Sequence, residues 1–269
     1  MQAQQTLLEQ TITFFLSAFR LPGLDWKLIL IAIVLGLAFG TLWLLAYWPG
    51  TKNRRPRCWI LIVSAFLTWI AIAFVQIPLQ TWSGQALLHF WNQFTILKWL
   101  LLAGIPGVLL SGLVQEGAKM VPVVFFWLGN KRRIDTNTGL LAGAIAGAGF
   151  GIFEAVWAHN TTFASGWTWQ LVQTNGYPAL VAFVERFFTV GFHVAVSALA
   201  GYGLAKGAGW QFYLIASALH GALNYSVLLP QKGLLNITGV EIYIAVFTVA
   251  LTAVVLWLRW KKDRPELQV

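Results

Sequence analysis

The segment SGLVQEGAKMVPVVFF (residues 111–126) places Gln115, Glu116 and Lys119 inside a run that is otherwise apolar. A helix needs roughly 20 apolar residues to cross about 30 Å of hydrocarbon. The apolar run that contains this segment, about residues 97–128, is longer than that. An ionisable side chain at mid-bilayer costs about 2.5–3.5 kcal/mol even on the lenient insertion scales. The segment therefore predicts a membrane helix that faces polar partners on other helices.

The composition supports a polytopic membrane protein. Of 269 residues, 58% are hydrophobic and 10% are charged, and the mean hydropathy is +0.69. Soluble domains carry about 25% charged residues. The 15 tryptophans suit the two membrane interfaces, where indole rings concentrate. The single cysteine, Cys58, excludes an internal disulfide and a cysteine-based metal cluster.

Seven apolar segments predict an all-α bundle of seven membrane-spanning helices, because the bilayer core offers no water to unpaired backbone groups. Their approximate limits are 28–47, 59–79, 97–128, 138–160, 179–205, 210–229 and 241–260. The third is too long for a straight crossing, so we expect Pro106 and Pro122 to kink it or to separate a re-entrant part. Residues 28–269 are predicted to form one transmembrane domain, with the polar motifs in about 97–229.

The N-terminal segment, residues 1–27, is predicted to be an amphipathic helix at the membrane interface. Its apolar residues repeat at helical spacing between Leu7 and Leu16, but they are too mixed with polar residues to span. It lacks a basic leader and a small-residue cleavage site, so we expect it to be retained rather than removed as a signal peptide.

The basic residues predict the orientation. The net charge is +9, and twelve of the eighteen lysines and arginines fall on one side of the predicted spans. The positive-inside rule then puts the C-terminus in the cytoplasm and the N-terminus outside, and we expect a bacterial cytoplasmic membrane. No basic patch interleaves with exposed aromatics, so nucleic acid is not an expected partner.

Ionisable and amide residues recur at compatible depths in four successive spans. Glu116 and Lys119 are three residues apart, Arg186 and His193 are seven apart, and His220 and Asn224 are four apart, so each pair shares a helix face. Glu154 follows a stripe of glycines spaced by four, Gly139 to Gly151, which predicts close helix packing. These residues are expected to converge on one polar cavity.

Other interpretations of the polar residues stay open. Lys119 and Arg186 are also consistent with structural pairs that only neutralise Glu116 and Glu154. Glu185 is expected to point away from Arg186 and to be structural. His159 and His89 stand near span ends, where we expect them to meet water.

Four motifs resemble the PrsW family of intramembrane proteases, part of a broader group with the type II CAAX prenyl proteases and bacteriocin-processing enzymes. They occur in the family's order and rough spacing: QEGAK (115–119), GFGIFEA (149–155), ERFFTVGFH (185–193) and HGALNY (220–225). The resemblance implies a hydrolase that cuts a membrane-embedded protein or peptide within the bilayer. It implies the functional residues Glu116, Lys119, Glu154, Arg186, His193, His220 and Asn224.

In the mechanism that we expect from this resemblance, Glu116 and Glu154, with His193, position and activate water. His220 and Asn224 donate to the oxyanion, and Lys119 and Arg186 keep the carboxylates ionised. A zinc ion held by His193, His220 and Glu116 is the alternative, because two histidines and one carboxylate form a known catalytic zinc set. No HExxH motif is present.

Two positions depart from the family pattern. Gln115 stands where the family commonly has a glutamate that is thought to activate water in the related prenyl proteases, and Gly151 stands where it has phenylalanine. A glutamine amide cannot accept that proton. Either another glutamate takes this role, or the chain is a non-catalytic scaffold or substrate-binding partner. A proton- or ion-coupled transporter is a further alternative, which the absence of inverted halves in the sequence disfavours.

Overall fold

The computed structural model describes residues 24–48 and 58–261. Within this part of the chain all regular structure is helical, which confirms the predicted all-α class. The predicted interfacial helix in residues 1–27 falls almost wholly outside the described residues and stays a prediction. The helices are α1 (Trp26–Leu45), α2 (Cys58–Ala71), a π-helical segment (Ile72–Gln76), α3 (Ile77–Phe90), α4 (Gln93–Lys98), α5 (Leu100–Ala103), α6 (Ile105–Gly129), α7 (Thr136–Ala164), α8 (Trp169–Asn175), a 3₁₀ turn (Tyr177–Leu180), α9 (Val181–Ala205), α10 (Gly209–Tyr225), α11 (Leu228–Gln231) and α12 (Ile237–Trp260).

Seven stretches of the described chain are long and apolar enough to cross a membrane, as predicted, and the protein is an integral membrane protein. The second and third spans differ from prediction. The second continues through the π-helical segment into α3 and ends at Phe90 rather than near residue 79. The third is interrupted at Trp99 and Gly104, and Pro106 lies in the first turn of α6, where its missing N–H costs nothing. Pro122 does not break α6, which runs on to Gly129.

Helix α7 lies at the centre of the bundle. In its most apolar window 78% of the residues are buried, against 44% or less in the other spans. It packs most extensively on α9, and it also contacts α1 and α2. A central helix of this kind can carry a polar residue away from lipid.

The predicted glycine stripe is the contact between α7 and α9. A Cβ atom on Gly143 would lie 2.0 Å from the backbone oxygen of Ser197, and one on Gly147 would lie 2.1 Å from that of His193. Only glycine permits this approach, which brings the backbones of the two helices together. The stripe thus fixes His193 of α9 directly beside the turn of α7 that precedes Glu154.

Candidate active site

The most buried part of the site lies on α6. Glu116 and Lys119, one turn apart, form a salt bridge through Glu116 Oε1 and Lys119 Nζ, and both side chains are completely buried. His220 of α10 places its Nδ1 2.6 Å from the same carboxylate oxygen. The Lys119 ammonium also lies 4.8 Å from the ring centroid of Phe150. One carboxylate oxygen therefore binds a cation and an imidazole in a space without solvent.

His193 connects this buried group to a second carboxylate. Its Nδ1 lies 3.0 Å from Lys119 Nζ, and its Nε2 lies 2.7 Å from Glu154 Oε2 of α7. Arg186, two turns earlier on α9, has Nη1 3.8 Å from the same oxygen of Glu154. The polar groups form one continuous series from four spans: Arg186, Glu154, His193, Lys119, Glu116 and His220.

The hydrogen-bond partners assign the state of each imidazole. A lysine ammonium can only donate, so Nδ1 of His193 accepts from Lys119, and Nε2 carries the proton that it donates to Glu154. The Glu116 carboxylate can only accept, so Nδ1 of His220 is the donor. A neutral His193 then has no free lone pair, whereas a neutral His220 has one on Nε2.

The two ends of the series differ in access. The side chains of Glu116 and Lys119 are 0% exposed, and those of His193 and His220 are 1% and 2% exposed. In contrast, Glu154 is 21% and Arg186 is 19% exposed. Of the two predicted catalytic carboxylates, Glu116 is fully buried and Glu154 has exposed surface.

Asn224, a predicted participant, and Gln115, a departure from the family pattern, contact residues outside this series. The Asn224 amide donates to Ser111 Oγ at 2.8 Å, so this residue of α10 is fixed against α6. Gln115 is buried and donates to Gln76 Oε1, at 2.9 Å, in the π-helical segment. Gln115 is thus bonded to the second span. Sequence reasoning missed Ser111 and Gln76, although a polar residue within an apolar span was the signal that could have identified them.

Two predictions about neighbouring residues were wrong. Glu185 does not point away from Arg186, because its Oε1 forms a salt bridge with Arg186 Nη2. His159 does not meet water: it is 0% exposed and stacks on Phe183, with ring centroids 5.0 Å apart. Helix α7 extends to Ala164, past the predicted end, so His159 lies within the packed helix. His89 is exposed, as expected.

The three predicted metal donors do come together. Glu116, His193 and His220 can each offer an atom within 4.8 Å of the other two, and all three are buried. Lys119 Nζ lies among these atoms, in contact with Glu116 and within hydrogen-bonding distance of His193. The donor set has the composition of a metal site, but the Lys119 ammonium already contacts two of its members.

Fold and site together define a polytopic membrane protein with a buried acid–base centre shared by four spans. The family model described as PrsW family intramembrane metalloprotease matches residues 55–255, and the chain belongs to this family. This match covers most of the chain and includes every residue of the series from Glu116 to His220. Neither a curated protein nor a solved structure matches the chain.

Proposed function

We propose that this protein is an intramembrane peptidase that hydrolyses a peptide bond of a membrane-embedded protein or peptide at the Glu154–His193 pair. The observation that carries the proposal is the series of two glutamates, two histidines and two cations contributed by four helices within the bilayer. Membership of a membrane protease family supports the reaction class. So many ionisable groups would be costly in a purely structural interior.

In the proposed reaction Glu154 acts as the general base. Its carboxylate accepts a proton from water, and the resulting hydroxide attacks the substrate carbonyl carbon. The protonated Glu154 then gives its proton to the leaving amine nitrogen as the C–N bond breaks. Glu154 is the partly exposed one of the two carboxylates. His193 Nε2–H donates to its Oε2, and Arg186 Nη1 lies 3.8 Å from the same oxygen.

The buried residues Glu116, Lys119 and His220 hold the Glu154–His193 pair in position. Lys119 donates to His193 Nδ1 and is itself held by Glu116, which is held by His220. We assign Glu116, Lys119 and His220 the role of fixing the tautomer and orientation of His193. Asn224 is proposed as the oxyanion donor, because its amide has a second N–H beside the one given to Ser111.

A resident metal ion does not fit this arrangement. Zinc bound to a carboxylate and an imidazole lies about 2 Å from each donor atom. Lys119 Nζ already contacts Glu116 Oε1 and uses the Nδ1 lone pair of His193, and His193 Nε2 carries a proton toward Glu154. The proposed reaction therefore uses the side chains alone.

A cleavage assay with a reconstituted membrane substrate tests the function. We expect wild-type protein to cut, His193→Ala to cut at least about 100-fold more slowly, and His89→Ala, an exposed histidine outside the site, to cut at the wild-type rate. Equal rates for wild type and His193→Ala would contradict the site. Absence of cleavage by wild type across membrane substrates would favour the non-catalytic scaffold.

We further propose that the C-terminus faces the cytoplasm of a bacterial cell. Cys58 is free and exposed at the start of α2, and in this orientation it lies at the cytoplasmic end of the second span. A membrane-impermeant maleimide should label it in permeabilised cells and leave it unlabelled in intact ones. Labelling in intact cells would reverse the orientation.

A further inference from the structure

The site holds a fixed cation at the point where a metal ion would bind. Lys119 Nζ is completely buried and contacts Glu116 Oε1, lies 3.0 Å from His193 Nδ1, and is 4.8 Å from the centroid of Phe150. The carboxylate and the imidazole are two of the three donors that could hold a metal. The ammonium therefore contacts two of the three groups that an ion in this donor set would bind.

The ammonium and a divalent ion exclude each other for two reasons. A metal about 2 Å from both Glu116 and His193 would overlap the space that Nζ occupies. Any position nearby leaves a dication within about 4 Å of a unit positive charge in a medium that screens weakly. Moreover, neither nitrogen of neutral His193 has a free lone pair while Nδ1 accepts from Lys119 and Nε2–H donates to Glu154.

We infer that Lys119 is a built-in replacement for a metal ion, and that its amine keeps the Glu116–His193–His220 set from binding one. Removal of the amine frees the His193 lone pair and removes one of the two groups that contact Glu116 Oε1, the other being His220 Nδ1. A variant without Lys119 should then present two imidazoles and a carboxylate at a buried position, which is a donor set that Zn²⁺ and Co²⁺ accept. The inference concerns ion binding and holds whether or not the site hydrolyses peptides.

Zinc affinity of the purified full chain in detergent tests this inference, with a chromophoric chelator as competitor. We expect Lys119→Ala to bind one Zn²⁺ per chain at least about 100-fold more tightly than wild type, since it lacks the repelling charge. Co²⁺ bound to Lys119→Ala should show the visible absorption of a tetrahedral site, and wild type should not. Lys98→Ala removes an exposed lysine outside the site and should bind zinc as wild type does.

A double variant, Lys119→Ala with His220→Ala, locates the gained site. It should lose the tight binding, and retention of that binding would place the ion elsewhere and overturn the inference. An unchanged zinc affinity in folded Lys119→Ala would overturn it as well. If Lys119→Ala does not fold, Lys119→Gln replaces it in the same comparison.

The zinc content of wild-type protein, compared with that of two histidine variants, is a second test. We expect the purified chain to carry less than stoichiometric zinc after washing with a weak chelator. One zinc per chain that survives this wash and disappears in both His193→Ala and His220→Ala would show that the ion, and not Lys119, belongs in the set. These measurements need no substrate, so a failure of the proposed hydrolysis leaves their meaning unchanged.

Discussion

Glu116 and Glu154 have matching partners and differ in burial. Each carboxylate binds one imidazole and lies near one cation: His220 and Lys119 at Glu116, His193 and Arg186 at Glu154. Glu116 is 0% exposed and Glu154 is 21% exposed. The same chemical group can thus serve as an internal anchor where it is fully buried, and we assign it the role of the reactive base where part of its surface is exposed.

Replacement of the partly exposed carboxylate should remove activity and leave the fold intact. In Glu154→Gln the amide oxygen can still accept from His193 Nε2, and Arg186 keeps its salt bridge to Glu185. A general base contributes about 10²–10⁴ to a rate, so we expect cleavage to fall at least about 100-fold. The measurement is the initial rate alongside the thermal midpoint in detergent. A rate above a tenth of wild type would show that Glu154 is not the base.

Replacement of the fully buried carboxylate should instead destabilise the protein. Glu116→Gln leaves the Lys119 ammonium buried without the carboxylate that it contacts, and breaking a buried ion pair costs about 3–5 kcal/mol. The free energy of unfolding in mixed micelles measures this cost. Glu185→Gln is the matched control: that side chain is 33% exposed, so its pair should contribute less than about 1 kcal/mol. Equal losses of unfolding free energy in the two variants would show that burial does not distinguish the two carboxylates.

The position of His193 between the two carboxylates depends on the glycine contact of α7 with α9. Gly147→Ala places a methyl group 2.1 Å from the His193 backbone oxygen, so the helices must separate. Overpacking of this kind costs about 1–3 kcal/mol, and cleavage should fall with it because His193 moves relative to Glu154. Stability and rate are measured together. Gly84→Ala, in α3 with nothing within 4 Å of the added atom, should be neutral or slightly stabilising.

The sequence is sufficient to predict the seven spans and the convergence of polar side chains from four of them, but not which carboxylate is fully buried and which is partly exposed. Apolar length predicts spans, and spacings of three, four or seven predict shared faces, which is why Glu116 with Lys119 and Arg186 with His193 were grouped correctly. Access depends on how each helix is rotated against its neighbours. Glu154 and Glu116 lie on different helices, so no spacing ranks their exposure.

Helix rotation also separates residues that are neighbours in sequence. Gln115 is adjacent to Glu116 but projects toward Gln76 of the second span, because successive residues of a helix point about 100° apart. The two wrong predictions have other causes. His159 was assigned to water because the predicted span ended near it, whereas α7 continues and Phe183 covers the ring. The Arg186–Glu185 contact joins neighbours in sequence, which helical spacing rules do not treat as facing pairs.

The smallest predicted effect concerns Asn224, whose role as an oxyanion donor depends on its contact with α6. Ser111→Ala removes the hydroxyl that accepts from Asn224 Nδ2 at 2.8 Å. The loss of one neutral hydrogen bond should cost about 0.5–1.5 kcal/mol of stability. If Asn224 also acts on the reaction, a freely rotating amide should lower kcat by more than it changes KM, because the oxyanion develops only in the transition state. Ser111→Thr keeps a hydroxyl and should restore part of kcat. A change confined to stability, with kcat the same in wild type and Ser111→Ala, would show that Asn224 is a structural residue. The reaction would then depend on Glu154 and the residues that contact it.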